Sequence, residues 1–382
     1  MLKKIALLTA AAGMLSTSVA VVAEPTVYGR ISFGMKSVSG ETDEADSQKI
    51  DDALGSRLGV KGTNDLGNGM TVDYLLEYGA GESMSLRHSN LTLNGSFGQF
   101  RLGKQTGVLY RYIGANTDQS WAVGGNEWYA IAGASGGDGW YNLNSNHSLR
   151  MKNIAAYRFG AGPGGDDPIT FDLQIESVDR GGDEDESIDS LTVGAATALG
   201  PVKLQVAYAD EKGDDMSPSL LAFGFRAPLG SAEIRGHMTS VDPDVDDYDD
   251  NEAWGLLVMN DFGGGYFGMI GVGNYTDGHE GAMAVAESGS PGAAGYVAAV
   301  NSPIDKDENN QENLYVSLTK SLGGGLSVIA EYNTTTKTVT DALMVGDDDG
   351  DGGTVDVAGA NASLDTDDDT TSTFIVSVLQ SF

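Results

Sequence analysis

The sequence predicts an all-β protein, a 16-stranded antiparallel transmembrane β-barrel with short turns at one end and long loops at the other. Three observations predict it. Apolar and polar residues alternate with period two through sixteen segments. The connections between these segments alternate between short and long. The negative charge collects in the long ones.

The first strand sets the pattern. Within Thr26–Lys36, Val27, Ile31, Phe33 and Met35 share one parity, and Thr26, Tyr28, Arg30, Ser32 and Lys36 share the other. Side chains alternate faces along a strand, so one face is apolar and the other polar. The same alternation runs through Ser56–Thr63, Met70–Gly79, Met84–Asn94, Gln99–Lys104, Leu149–Phe159, Ile169–Val178 and Ile188–Ala198. It continues in Val202–Ala209, Pro218–Ala227, Ser231–Val241, Glu252–Asp261, Tyr266–Thr276, Glu312–Leu322, Leu326–Val339 and Thr373–Phe382. Short links such as Asn64–Met70, Asn94–Gly98, Ala198–Pro201, Ala227–Gly230, Asp261–Tyr266 and Ser321–Leu326 are rich in Gly, Asn and Pro, as tight turns require. Gly160–Pro168 is the one longer link in that set. Between the turns lie Ser37–Gly55, Gln105–Ser148, Asp179–Ser187, Asp210–Ser217, Asp242–Asn251, Asp277–Gln311 and Thr340–Ser372. Loop lengths sorted in this way mark an outer-membrane barrel.

Charge sorts with the loops. The 382 residues hold 22 Lys and Arg against 55 Asp and Glu, a formal charge of −33. Of those acids, 29 fall within Glu41–Asp52, Asp179–Asp189, Asp242–Glu252 and Thr340–Ser372. The charge therefore belongs to one rim of the barrel and not to its wall. It argues against a nucleic-acid binder, which needs a basic face. With no Cys, disulfides and thiolate metal sites are excluded.

The segment before the first strand reads as a leader. Lys3 and Lys4 precede an apolar stretch, Ile5–Leu15, and Val21-Val22-Ala23 offers a V-x-A cleavage site. Residues 1–23 are read as a signal peptide and 24–382 as the barrel. Removing the leader takes away two Lys and no acid, which moves the charge from −33 to −35. No later run of about 20 apolar residues could cross a bilayer as a helix.

Several stretches resemble the Gram-negative general porins, the trimeric diffusion channels. Thr26–Gly34 (TVYGRISFG) is similar to the family's first strand, and Gly55–Met70 (GSRLGVKGTNDLGNGM) to its second strand and first turn. Asn94–Gln105 (NGSFGQFRLGKQ) resembles the strand that leads into the pore loop, and the chain ends in Phe382. Gln380 stands where the family usually has an aromatic residue, and Ala122-Val123-Gly124-Gly125 departs from the usual acid before Phe-Gly-Gly. Asp118 matches an acidic position of the enteric members. The resemblance implies a homotrimer in the outer membrane, in contact with lipid and lipopolysaccharide, with Gln105–Ser148 as the constriction loop. It also implies passive diffusion of small hydrophilic solutes and ions, with no cofactor, no metal and no chemistry.

Candidate site residues follow. A charge facing lipid at the midplane costs about 2–4 kcal/mol, so strand bases must face the lumen or lie near an interface. Arg30, Arg57 and Lys61 share one face by parity, and Arg87 and Arg150 match family positions lining the constriction. Together they form the basic side, and the loop supplies Asp118 and Glu127 as the acidic side. Trp121, Trp128, Trp140 and Tyr141, on the same loop, could pack it against the wall or form a track for stacking sugars. The second choice would make a saccharide-selective, chitoporin-like channel. An exported soluble β-rich binding protein is the alternative from another class. Asp347–Gly352 lacks the Glu and the flanking helices of a calcium loop. No G-x-S-x-G nucleophile motif occurs, and an enzyme is not expected.

Overall fold

The computed structural model describes residues 21–22, 24–40, 47–52, 54–81, 84–118, 128, 149–165, 167–177, 190–212, 217–242, 250–276, 282–285, 300–303, 310–340 and 366–382. Sixteen long antiparallel strands close into a barrel. They are β1 (Thr26–Ser39), β2 (Arg57–Gly67), β3 (Met70–Ala80), β4 (Met84–Gly95), β5 (Gly98–Thr106), β6 (Arg150–Phe159), β7 (Ile169–Glu176) and β8 (Ser190–Leu199). The second half comprises β9 (Val202–Glu211), β10 (Ser219–Leu229), β11 (Ala232–Asp242), β12 (Asn251–Gly263), β13 (Tyr266–Thr276), β14 (Asn310–Gly323), β15 (Leu326–Thr340) and β16 (Thr366–Ser381).

Each strand pairs with its sequence neighbours, and β1 closes the ring against β16 with Arg30 opposite Ser381 and Ser39 opposite Ser372. The last residue joins the closure: the Phe382 and Gly29 backbones exchange two hydrogen bonds of 3.1 Å. Closure leaves no sheet edge, so the wall satisfies its backbone groups internally, as lipid requires.

The parity seen in sequence becomes geometry. Val27, Ile31, Phe33 and Met35 are exposed on the outer face, whereas Arg30 and Ser32 are buried within. Leu91, Phe100, Leu102, Leu221, Phe223, Met238 and Leu318 continue the outer apolar belt. Polar residues such as Asp172, Gln174, Thr192, Gln205, Asn313 and Glu331 are buried on the inner face. The buried residues of this barrel therefore line its inner face.

Short turns join the strands at one end. At Asn68-Gly69 both residues have positive φ, 54° and 75°, which is the geometry of a two-residue turn matched to strand twist. The long connections carry structure of their own. Ser47–Asp51 folds back as a short strand along Gly34–Val38, and Ala282–Val285 pairs with Val300–Pro303 as a separate hairpin. The largest departure from the expected loop bounds is at the last strand. The wall strand β16 begins at Thr366, inside the expected loop Thr340–Ser372, because Asp367–Asp369 pair with Lys337–Val339 of β15. Between β3 and β4 only residues 81–83 intervene, in keeping with the expected segments Met70–Gly79 and Met84–Asn94.

Candidate functional site

The connection after β5 turns into the lumen. Gly107 is followed by a short helix, α1 (Val108–Tyr112), and a 3₁₀ turn (Gly114–Asn116). The α1 helix lies against inward positions of the wall. A Cβ on Gly194 of β8 would stand 2.7 Å from the Tyr112 ring, so glycine there makes the seat. Val108, Leu109, Tyr112, Ile113 and Trp128 form one buried cluster with Ala207, Ala209, Leu220, Ala222, Val241 and Ala253 of β9–β12. Polar bonds fix the segment further. The Val108 backbone N–H donates to Gln174 Oε1 at 2.9 Å, Asn116 Nδ2 to Gln205 Oε1 at 2.8 Å, and Arg226 Nε to Asn116 Oδ1 at 2.7 Å. From across the lumen, the Tyr315 hydroxyl of β14 donates to the Thr117 carbonyl. The segment 108–118 thus bridges the interior from β7–β11 to β14.

A buried charge cluster anchors this bridge. Asp172 of β7 is fully buried and accepts from Arg101 Nη2 at 2.6 Å and Arg158 Nε at 2.9 Å. Arg111 of α1 stands 3.9 Å away. Two wall guanidiniums and one from the loop thus converge on a single carboxylate. Burial, with Asp172 beside it, pushes the Tyr112 phenol up, so that group stays neutral.

The wall of β1–β4 carries the second cluster. Glu77 of β3 accepts from the Tyr28 hydroxyl at 2.7 Å and from Arg87 Nε at 2.8 Å, with Arg57 Nε at 3.9 Å. Gly59 makes this possible, because a Cβ there would lie 2.6 Å from the Tyr28 ring that crosses it towards Glu77. Arg87 is the unpaired residue of a β-bulge: Glu77 pairs with His88 and Tyr78 with Leu86. Arg87 has the parity of the exposed Leu91, so strict alternation would send it to the lipid side. The bulge turns it inward.

The predicted basic side is thus divided in its partners. Arg57 and Arg87 meet at Glu77. Lys61 lies over the Tyr28 ring, 5.0 Å from its centroid. Arg150 Nε donates to His88 Nε2 at 3.2 Å. Arg30 bonds the Leu54 and Gly55 carbonyls and is spent partly on holding that loop. On the loop, Asp118 accepts from the Tyr110 hydroxyl at 2.8 Å. Glu127, Trp121, Trp140 and Tyr141 lie outside the described residues. Trp128 is fully buried, edge-on to His237 with centroids 5.8 Å apart, and stacked on Gly114. Its ring packs the loop to the wall and offers no open face to a solute. Trp128→Ala is expected to loosen the loop's seat by about 3–5 kcal/mol. Limited proteolysis within residues 105–148 of an intact barrel checks it, and an unchanged cleavage rate would show that the ring carries no load.

Glu77, Arg101, Arg111, Arg158 and Asp172 are site residues beyond the expected set. Most carried a signal, since Arg101 sits between Phe100 and Leu102 and Asp172 between Phe171 and Leu173. A charge flanked by two lipid-facing residues must point inward.

Comparison with known proteins agrees with this architecture. The family described as Gram-negative porin matches residues 6–340. Major outer membrane protein P.IB of Neisseria meningitidis serogroup B is 32% identical over 102 residues, covering 24% of this chain. That match spans 31% of the relative's length. Among solved structures, an anion-selective porin from Comamonas acidovorans aligns over 94% of this chain and 99% of its own, with a TM-score of 0.66 and 14% identity. The trimer form of OmpT from Vibrio cholerae aligns over 96% of this chain and 100% of its own, with a TM-score of 0.60 and 13% identity.

Proposed function

The chain belongs to the Gram-negative porin family, a family of outer-membrane channels, and we propose that it forms a water-filled pore for passive diffusion of small hydrophilic solutes and ions. One observation carries the reading: a closed barrel, apolar outside, holds a loop pinned across a lumen whose wall is lined with charge. Such a loop narrows the lumen without sealing it, and the charges beside it weight which ions pass. Arg57, Lys61, Arg87 and Arg150 form the basic wall of the constriction in this reading, and Asp118 belongs to the loop opposite. No chemistry and no cofactor are involved. The trimeric form of the OmpT neighbour supports a homotrimer, with the outer apolar belt meeting lipid and the acidic rim meeting lipopolysaccharide. The test is purified protein in a planar bilayer. Stepwise ohmic conductance, in groups of three equal steps, is expected. A detergent-soluble protein that never inserts, or inserts without conducting, would overturn the reading.

Selectivity follows from where the charge sits. The 55 acids outnumber the 22 bases, and over half of them lie in or directly beside four long connections, within Glu41–Asp52, Asp179–Asp189, Asp242–Glu252 and Thr340–Ser372. A rim of one sign raises the local concentration of counter-ions at the mouth. Cation preference is expected at low salt, fading as the Debye length shrinks from about 30 Å at 0.01 M to about 3 Å at 1 M. Reversal potentials across a salt gradient measure it, and anion preference at low salt would show that the arginines of the lumen dominate instead.

A further inference from the structure

The connection between β6 and β7 is the long member of the short-turn set, and it does not hang free at the rim. Its backbone is held by side chains of the inner wall. Lys203 Nζ of β9 donates to the Gly164 and Gly165 carbonyls, each at 2.7 Å. The Thr170 hydroxyl donates to the Gly162 carbonyl at 3.3 Å, and Gln205 Nε2 to the Pro163 carbonyl at 3.4 Å. Lys203 and Gln205 share the inward parity of Ala207 and Ala209, which pack under the inserted loop. The segment joins β6 to β7, and side chains of β9 and β10 reach it, so it leans over the inner face towards those strands. Gly162 and Pro163 are buried there, and Gly164 is exposed.

Gln205 serves both ends of the lumen. Its Oε1 accepts from Asn116 of the inserted loop, and its Nε2 reaches Pro163. Arg226 likewise donates to Asn116 and stands beside Gly164. A loop from the long-loop end and a turn from the short-turn end therefore meet on the same wall residues.

We propose that Gly160–Gly165, the described first part of this connection, is a second constriction, folded into the lumen from the short-turn end, clamped by Lys203 and braced against the inserted loop through Gln205. The inference rests on the channel reading. It implies that solute passes two narrow zones in series, and that the two are mechanically coupled. Lys203 is the positioning residue, because one ammonium group satisfies two carbonyls of the turn.

The chain has no Cys, so Gly164→Cys gives a unique thiol. An added Cβ there has Arg226 Nη1 at 3.6 Å and nothing nearer, so the site tolerates a side chain. Open Gly164→Cys channels are exposed in a bilayer to small charged methanethiosulfonate reagents. Stepwise loss of current is expected, with the cationic reagent also shifting the reversal potential towards anion preference. Labelling without any change in current, or no labelling, would overturn the proposal. A second variant does not depend on the thiol. Lys203→Gln should raise conductance and current noise, and Lys203→Arg should restore the quiet current because it keeps the charge and the donors. Unchanged conductance and noise in Lys203→Gln would equally overturn it. Unmodified channels run alongside separate the two readings: if they conduct while the variants behave identically to them, only the second constriction fails.

Discussion

Asp172→Ala is expected to free the inserted loop from its seat. The carboxylate is fully buried, and it is the acid on which Arg101, Arg158 and Arg111 converge. Removing it leaves like charges packed together away from water, a change that costs about 3–5 kcal/mol. The wall hydrogen bonds of β5–β8 are untouched, so the barrel should still close. The loss falls on α1, whose Arg111 is the loop's own part of the cluster. The heat needed to unfold the folded band on a gel should drop, and protease should cut within 105–148 more readily. Removing Arg101 as well should recover part of the loss, since groups in one network couple by about 0.5–3 kcal/mol. A single Asp172→Ala variant with wild-type heat stability and loop protection would show that the seat is made by the apolar cluster around Trp128 and Tyr112 alone.

The wall was legible in the sequence because a lipid-exposed strand obeys a strict rule. Val27, Ile31, Phe33 and Met35 must face hydrocarbon, and Tyr28, Arg30 and Ser32 must not. The same rule marks all sixteen strands, and the Asn-Gly and Gly-Gly turns separate them. Strand ends were less legible where polar residues extend a hairpin beyond the lipid. In β16, Thr366–Ser372 has no apolar face to report, and only its pairing with Thr334–Thr340 makes it a strand. The fold-back of Ser47–Asp51 along Gly34–Val38 is hidden for the same reason.

The candidate site was legible in its residue types and less so in its partners. Parity placed Arg57 and Lys61 on the lumen side, but it could not reveal that Glu77 gathers Arg57, Arg87 and Tyr28. That contact depends on the missing Cβ of Gly59 and on the bulge at Arg87, and neither shows in an alternation pattern. The stacking track has the opposite difficulty. Aromatic content on a loop signals both packing and binding, and only burial distinguishes them. For Trp128 the ring is enclosed by His237, Tyr110 and Gly114.

Replacing Arg57 and Arg87 together with Ala should widen the constriction and move the channel strongly towards cations. Both side chains reach the waterway, being 31% and 21% exposed, and their shared partner Glu77 is only 6% exposed. Without them Glu77 becomes an unopposed carboxylate hydrogen-bonded to Tyr28. The local charge of this group of three changes from one positive to one negative. A unit charge about 4 Å from a permeating ion contributes about 1 kcal/mol even in bulk water, which is about fivefold in relative permeability. Narrow, partly desolvated geometry raises that figure. Glu77→Gln makes the opposite change on almost the same volume. It keeps an acceptor for Tyr28 and leaves both guanidiniums uncompensated, so it should move the channel towards anions. The pair of variants separates charge from pore width, since the first alters both and the second alters charge alone. Trimer formation should stay near wild type in the double Ala variant, because the two arginines line water, while heat stability should fall, since Glu77 is left a buried carboxylate without its guanidiniums. Reversal potentials across a fixed salt gradient give the answer. If both variants insert normally and shift selectivity in the same direction, or in neither, the cluster on β1–β4 does not line the path that ions take.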